Sequence, residues 1–388
     1  MEKLIEYEKL TWPEVDALPR DLPLVIPLGS GYSMDRLQQA LGDPIQFAML
    51  PPVPFGWKGS GLAVPPEILS AMLINLVNSL REDGFARVYA LTPQGLDLKM
   101  GSSQIVLAHP SQSTAPEMLP NDDQRDKVIL IPIGHTEQHG FHLPMSTDTQ
   151  IIQAVGQGTA QSAPNSAACL PVMPYGVSTH RQAFAGTLNC GGRAFEDFWL
   201  AVIDVLASRG FNRFYFLSGH GGNSSFLVNI VKYAGERHRY ILCATSWLYL
   251  SGPEGIEALN RYRQSNIGGM GHAGELETSF VLHLTPDRVF MDRVVDETDF
   301  VTTPSYYMDW VEGGALVANP PWDDDTRTGA YGAGSLGTAE KGRLWLEAAI
   351  AEKVKHVEEI QEQYRRRMER RRNGYGLWGD LQVNESVK

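Results

Sequence analysis

Three blocks of this chain recur once each, in the same order, and that recurrence limits the folds open to it. Pro27-Leu28-Gly29-Ser30 is answered by Pro132-Ile133-Gly134-His135, the LPPVPFG stretch at 50–56 by LPVMPYG at 170–176, and DGFARVY at 83–89 by RGFNRFY at 209–215. A repeat this long marks a duplicated domain rather than a solenoid. Between the blocks, short β-branched runs alternate with longer helical periodicities. Strands are expected at Leu24–Pro27, Val88–Leu91, Val128–Pro132, Phe214–Leu217 and Tyr240–Ala244. Helices are expected at Pro66–Glu82, Thr149–Gln161, Arg193–Arg209, Ser225–Arg237, Glu275–Leu284 and Thr338–Arg372. Strands that alternate with helices imply parallel βαβ units and a layered α/β fold.

The two copies differ in chemistry. After its first strand the second copy reads IPIGHTEQHGFHLPMSTDT (131–149), which sets Glu137, His139, His142 and Asp148 within twelve positions. Nitrogen and oxygen donors at that density suit a borderline cation such as zinc or manganese. Two further segments extend the set. SGHGGN (218–223) leaves His220 at a strand's C-terminal end, where its glycines let the backbone turn sharply. GHAGELETS (271–279) brings His272, Glu275 and Glu277 to a helix start, and the spacing of three sets His272 near Glu275. YGVSTHRQAFAGT (175–187) adds His180 on a loop that would face substrate. In the first copy Tyr32 and Met34 stand where Glu137 and His139 stand, and Gln94 where His220 stands. The expected organisation is therefore a degenerate, metal-free domain at 1–115 and a working domain at 116–388 that ends in a long helix, with Pro120–Asp126 as the boundary loop. His109, His238, His283 and His356 read as ordinary surface or core histidines. His142 is either a donor or a partner of its own turn, and Glu277 is either a donor or a bond to a neighbouring loop.

Composition closes other routes. A formal charge of −12 argues against nucleic acid or an anionic membrane as partner. The arginine-rich stretch at 365–372 is interleaved with Glu369 and preceded by Glu362, so it reads as a solvated helix face. Cys169, Cys190 and Cys243 are too few and too scattered for a disulfide framework. The charged start MEKLIEYEKL lacks the apolar core of a secretory signal, and no membrane span is evident, so a cytoplasmic location is expected.

Taken together, PIGHTEQHGFHLPMSTD, SGHGGN and GHAGELETS resemble the creatininase (creatinine amidohydrolase) family over roughly residues 120–355. The resemblance implies a three-layer α/β/α fold with a mainly parallel sheet, here duplicated, and a centre of two divalent metal ions, Zn and/or Mn. It also implies hydrolysis of amide-type C–N bonds in small, often cyclic substrates, and a homo-oligomer. Carried across by position, Glu137 and His220 would bind one ion, His139 the other, and Asp148 would bridge them. Gly222 stands where creatininase has the second ion's carboxylate, so Glu275 is the expected replacement, as ligand and as part of the catalytic set. His272 matches the family histidine proposed to move protons. His180, Arg181, Trp247 and Asn223 are the candidates for substrate contact. Gly221 and Gly268 replace aromatic residues of creatininase, and Phe184-Ala185-Gly186-Thr187 replaces FPGT, which argues against creatinine as substrate. The leading expectation is a metal-dependent hydrolase of a small, cyclic amide-type compound. Its rivals are a C–C hydrolase of a cyclic 1,3-diketone in inositol or sugar catabolism, and a non-catalytic binding or assembly subunit.

Overall fold

The computed structural model describes residues 4–108, 118–179, 183–311 and 313–375. Among the described residues nine strands form two all-parallel sheets. The first holds β1 (Leu4–Glu6), β2 (Leu24–Pro27), β3 (Phe47–Met49), β4 (Val88–Pro93) and β5 (Gln104–Leu107), in the order β1-β3-β2-β4-β5. The second holds β6 (Val128–Ile133), β7 (Ala167–Cys169), β8 (Arg213–Ser218) and β9 (Leu242–Thr245), in the order β7-β6-β8-β9. The helices are α1 (Trp12–Asp16), α2 (Met34–Ala40), α3 (Pro66–Glu82), α4 (Thr147–Ser162), α5 (Gly192–Ser208), α6 (Ser224–Arg237), α7 (Pro253–Tyr262), α8 (Glu275–Leu284) and α9 (Ala339–Arg372). The expected elements are all present, β2, α3 and α8 with the expected ends. The expected strand at Tyr240–Ala244 begins two residues later, because Tyr240 and Ile241 form the turn from α6.

Strand alternation explains the layers. In β2, Leu24 and Ile26 face one side while Val25 faces the other; in β6, Ile129, Ile131 and Ile133 face one side while Val128 and Leu130 face the other. Leu24, Ile26, Ile129, Ile131 and Ile133 all enter a single core that also takes the apolar faces of α3 (Leu69, Leu73, Leu76), α5 (Phe195, Phe198, Trp199) and α6 (Leu227, Ile230). The opposite face of the first sheet is covered by Leu37 and Leu41 at α2. The opposite face of the second is covered by α4, α8 and α9 through Ile151, Phe280 and Trp345. Each sheet thus has helices on both faces, and the middle layer of helices serves both. The shared core runs across the expected boundary at 115/116.

The repeated blocks occupy matching places. β2 carries the bridge Leu28–Val53 beyond its end, and β6 carries Ile133–Met173. The amides of Gly29 and Gly134 donate to Val53 O and Met173 O, both at 2.9 Å. α3 and α5 end alike: Gly84 and Gly210 both sit at φ 93°, and Phe85 and Phe211 donate to Leu80 O and Leu206 O at 3.1 Å. That is a Schellman C-cap, which explains why both blocks carry glycine before phenylalanine. Trp57 is buried in the shared core.

The N-terminal half braces the second at defined points. Tyr7 Oη donates to Gly186 O at 2.9 Å, Asn75 Nδ2 to Cys190 O at 2.7 Å, and the amides of Met145 and Ser146 to Leu10 O and Glu8 O at 2.8 and 3.1 Å. Asp83 accepts the Gly186 amide at 2.9 Å, and burial pushes its carboxyl up to about 6. A buried acid with a raised native pKa holds its proton in the folded state after the unfolded chain has released it. Stability from this group therefore falls as pH rises from about 4 to 6 and is flat above. Asp83→Asn should remove that slope. Its urea-denaturation free energy relative to the parent is expected to rise by on the order of 2 kcal/mol between pH 4 and pH 7. A difference that stays constant over that range contradicts this account.

Candidate metal centre

The site gathers at the C-terminal ends of β6 and β8, where the backbone leaves the sheet. After Ile133, the 134–146 loop is closed by the Glu137 amide donating to Met145 O at 3.1 Å and is backed by Leu10 and Glu8 of the N-terminal segment. This presents Glu137, His139 and, at the start of α4, Asp148. Beyond β8, His220 precedes a short turn at 221–223. Gly222 is required there, since a Cβ would lie 2.3 Å from Val177 O. The third contributor is the 271–277 turn, where Ala273 takes a left-handed φ of 52° and is fully buried. That kink turns His272 and the first turn of α8 toward the other two segments.

Glu137, His139, Asp148, His220, His272 and Glu277 come together with none more than 5 % exposed. His220 Nδ1 lies 2.8 Å from Glu137 Oε1 and 3.3 Å from Asp148 Oδ2. His139 Nε2 lies 3.0 Å from Asp148 Oδ1 and 3.7 Å from Glu277 Oε2. The two carboxylate oxygens of Asp148 therefore face two different imidazoles, each with its own second carboxylate. His272 Nδ1 is 3.7 Å from Glu137 Oε1, and its ring lies 4.1 Å from that of His139.

Each of these imidazoles is anchored by its other nitrogen. His220 Nε2 donates to Val177 O at 2.9 Å, His272 Nε2 to Gln138 O at 2.7 Å, and His139 Nδ1 to Glu137 O at 3.2 Å. A carbonyl only accepts, so the proton sits on that nitrogen and the remaining lone pair faces the carboxylates. This is the outer-shell arrangement that orients metal-bound histidines. Glu137 Oε1 and Asp148 Oδ2 are buried and receive no aligned hydrogen bond. Among the described residues no lysine or arginine pairs with Glu137, Asp148 or Glu277. Lone pairs facing lone pairs in a buried, acid-rich cluster call for positive charge, and the donor set of imidazole and carboxylate suits a divalent ion.

The acid–base behaviour of the groups among themselves says the same. Burial disfavours a charged His139, yet the carboxylates of Asp148, Glu277 and Glu137 outweigh it and push the imidazole up to about 9. His220 is raised in the same way, against burial, by Glu137 and Asp148. Burial, only partly offset by His139, pushes Glu277 up to about 7. Asp148 is held well below the usual carboxylate range, because His139 and His220 outweigh its burial. His272 is lowered, first by burial and then by the charge on His139.

Glu275, the expected second carboxylate, lies elsewhere. Its carboxylate pairs with Lys341 Nζ at 2.6 Å and accepts the amides of Gln264 and Ser265 at 2.9 and 2.8 Å. Residues two apart on a helix point about 200° away from each other, so only one of Glu275 and Glu277 can face the cluster. Glu277 is the third residue of α8, and from that position its Oε2 turns back to accept the Ala273 amide at 2.7 Å.

Asn223, expected to face substrate, is instead fully buried. Its Oδ1 accepts the Val177 amide at 2.9 Å and its Nδ2 reaches Gly134 O at 3.4 Å, tying the three loops together. His180 and Arg181 lie outside the described residues. Trp247 is 39 % exposed beside the His220 turn. His142 bonds Thr278 Oγ1 at 2.9 Å, away from the cluster, and burial pushes it down to about 4. Two residues that sequence reasoning passed over also shape the site. His135 packs on His220 with ring centroids 4.4 Å apart and tilted by 35°, and accepts the Gly176 amide on Nδ1 at 2.9 Å. Gln138 contacts His272 Nε2 at 3.2 Å and donates to Gly329 O at 2.9 Å.

Comparison with known proteins agrees with this picture. Residues 111–357 match the family model described as creatininase, creatinine amidohydrolase. A mycofactocin precursor peptide peptidase of Mycolicibacterium smegmatis is 34 % identical over 43 % of this chain and 62 % of its own length, so the chain spans less than two thirds of that relative. Creatinine amidohydrolase of Pseudomonas putida is 29 % identical over 58 % of this chain and 86 % of its own. A 3-dehydro-scyllo-inosose hydrolase of Thermotoga maritima is 27 % identical over 61 % and 78 %. Among solved structures, a manganese creatininase superposes with a TM-score of 0.50 at 25 % identity, covering 63 % of this chain and 94 % of that one. With a family match over more than half its length and the same parallel α/β architecture, the chain belongs to the creatininase family.

Proposed function

We propose that this protein is a metal-dependent hydrolase that cleaves an amide-type C–N bond in a small, cyclic substrate other than creatinine. The observation that carries this reading is the pair of Asp148 oxygens, each facing a carbonyl-anchored imidazole and a further buried carboxylate. Glu137, His220 and Asp148 would hold one divalent ion, and His139, Glu277 and Asp148 a second. Two such ions supply a water acidified toward neutral pH and a polarised carbonyl. The protein's own part is then to place and move protons. His272 keeps its proton on Nε2 against Gln138 O, which leaves Nδ1 to accept a proton from the attacking water and return it to the departing nitrogen. Burial, and then the charge on His139, disfavour a protonated His272, so its Nδ1 lone pair stays free.

Two of the relatives are named for amide substrates, a peptide and creatinine, which supports C–N cleavage. The C–C alternative rests on the inosose hydrolase relative. Glycine at 221 and 268, where creatininase carries aromatic residues, supports a substrate other than creatinine. The matching strand order and C-caps of the two sheets support a duplication in which residues 1–115 are a metal-free copy that braces the working one. In this reading the protein acts as a homo-oligomer.

The chemistry is tested by incubating the manganese- or zinc-loaded protein with lactams, cyclic imides and short peptides, and with cyclic 1,3-diketones. Amine release that chelation abolishes and metal restores is the expected result; turnover of diketones alone overturns the C–N reading. Elemental analysis separates the two glutamates. Glu277→Gln should drop bound metal from about two ions to about one per chain. Glu275→Gln should keep both ions and lose stability, as breaking a buried pair costs about 3–5 kcal/mol. The opposite pattern would return the ligand role to Glu275. His272→Ala should retain its metal and lose about 10²- to 10⁴-fold in kcat; metal loss in that variant would make His272 a ligand.

A further inference from the structure

Among the described residues, 298–311 and 313–328 belong to a long connection without α-helix or strand, and it brings aromatic side chains to both imidazole flanks of the site. Connections of this length inside a domain usually carry function. Its base is fixed by Asp309, 3 % exposed, which pairs with Arg263 at 2.8 Å and accepts the amides of Gly268 and Met270 at 2.8 and 3.3 Å, just upstream of His272. Next to Asp309, Trp310 leans over the turn that follows His220. A Cβ on Gly221 would meet Trp310 Cη2 at 3.3 Å and Trp247 Cη2 at 3.7 Å, so glycine there permits the close approach of two indoles. The indoles pair at 5.9 Å, with Trp247 Nε1 donating to Trp310 O at 3.0 Å. Trp310 Nε1 is buried and finds no acceptor among the described residues. On the other flank, Trp322 sets its edge against His272 at 4.8 Å.

We propose that Trp310, paired with Trp247, is a specificity-determining wall beside His220. It recognises a flat ring carried by the substrate next to the bond that is cleaved. This rests on the hydrolase reading above and adds the shape of the substrate. Stacking on an indole favours a planar ring over a saturated one of the same size.

Phenylacetamide and cyclohexylacetamide share an amide and a similar bulk and differ in planarity. Ligand-observed NMR titrations of the metal-loaded protein should show phenylacetamide binding about fivefold tighter, a stacking effect of ordinary size. Trp310→Leu should abolish that preference with metal content unchanged, and Trp310→Phe should keep most of it. Equal binding of the two amides by the parent, or a preference that survives in Trp310→Leu, overturns the proposal. Loss of metal in Trp310→Leu also overturns it, because the indole would then be supporting the His220 turn. Planar preference without any amide turnover would leave the wall standing and sink the hydrolase reading; amide turnover without the preference would do the reverse.

Discussion

Everything at the candidate site depends on a buried confrontation of lone pairs. Three imidazoles each give their proton to a backbone carbonyl and turn the other nitrogen toward Glu137, Asp148 and Glu277. The carboxylates are close enough to raise His139 and His220 against their burial. A buried acidic group is tolerable only when paired, and here the pairing is left to something the side chains surround rather than to a lysine or arginine. Glu275 makes the contrast inside the same helix. It meets a lysine, two backbone amides and no histidine, and is a structural ion pair.

The fold explains why those groups can be held so closely. Parallel strands β6 and β8 end side by side, so the loops that follow them start from fixed, adjacent points. The third segment is placed by α8 packing on α4 and α9 beneath the sheet. From above, the N-terminal segment hydrogen-bonds the loop that leads into Asp148. The shared layer of α3, α5 and α6 then makes the N-terminal half part of the site's support, since its removal would bare Phe195, Phe198 and Trp199.

Much of this was legible in the sequence. Strand ends after apolar runs, the donor-rich 135–148 loop and the glycine turn at His220 follow from local chemistry, and so does the alternation that makes both sheets parallel. The three- and four-residue strands β1, β3, β5 and β7 were too short to show a period. Spacing from His272 and the family resemblance both favour Glu275 over Glu277, and the left-handed Ala273 that rotates α8 relative to His272 is a tertiary effect at a residue that gives no conformational hint. Asn223 lost its expected role to packing, since it fills the space above Gly176. The 298–328 segment carries no periodicity, and its aromatic residues acquire meaning only once Asp309 is seen to pin it beside the site.

Anomalous diffraction from crystals grown with manganese or zinc tests the central claim most directly. Two peaks are expected on either side of Asp148, one against Glu137 and His220 and the other against His139 and Glu277. An absence of anomalous density there at full metal loading, or a peak beside Glu275 and Lys341 instead, would contradict the account.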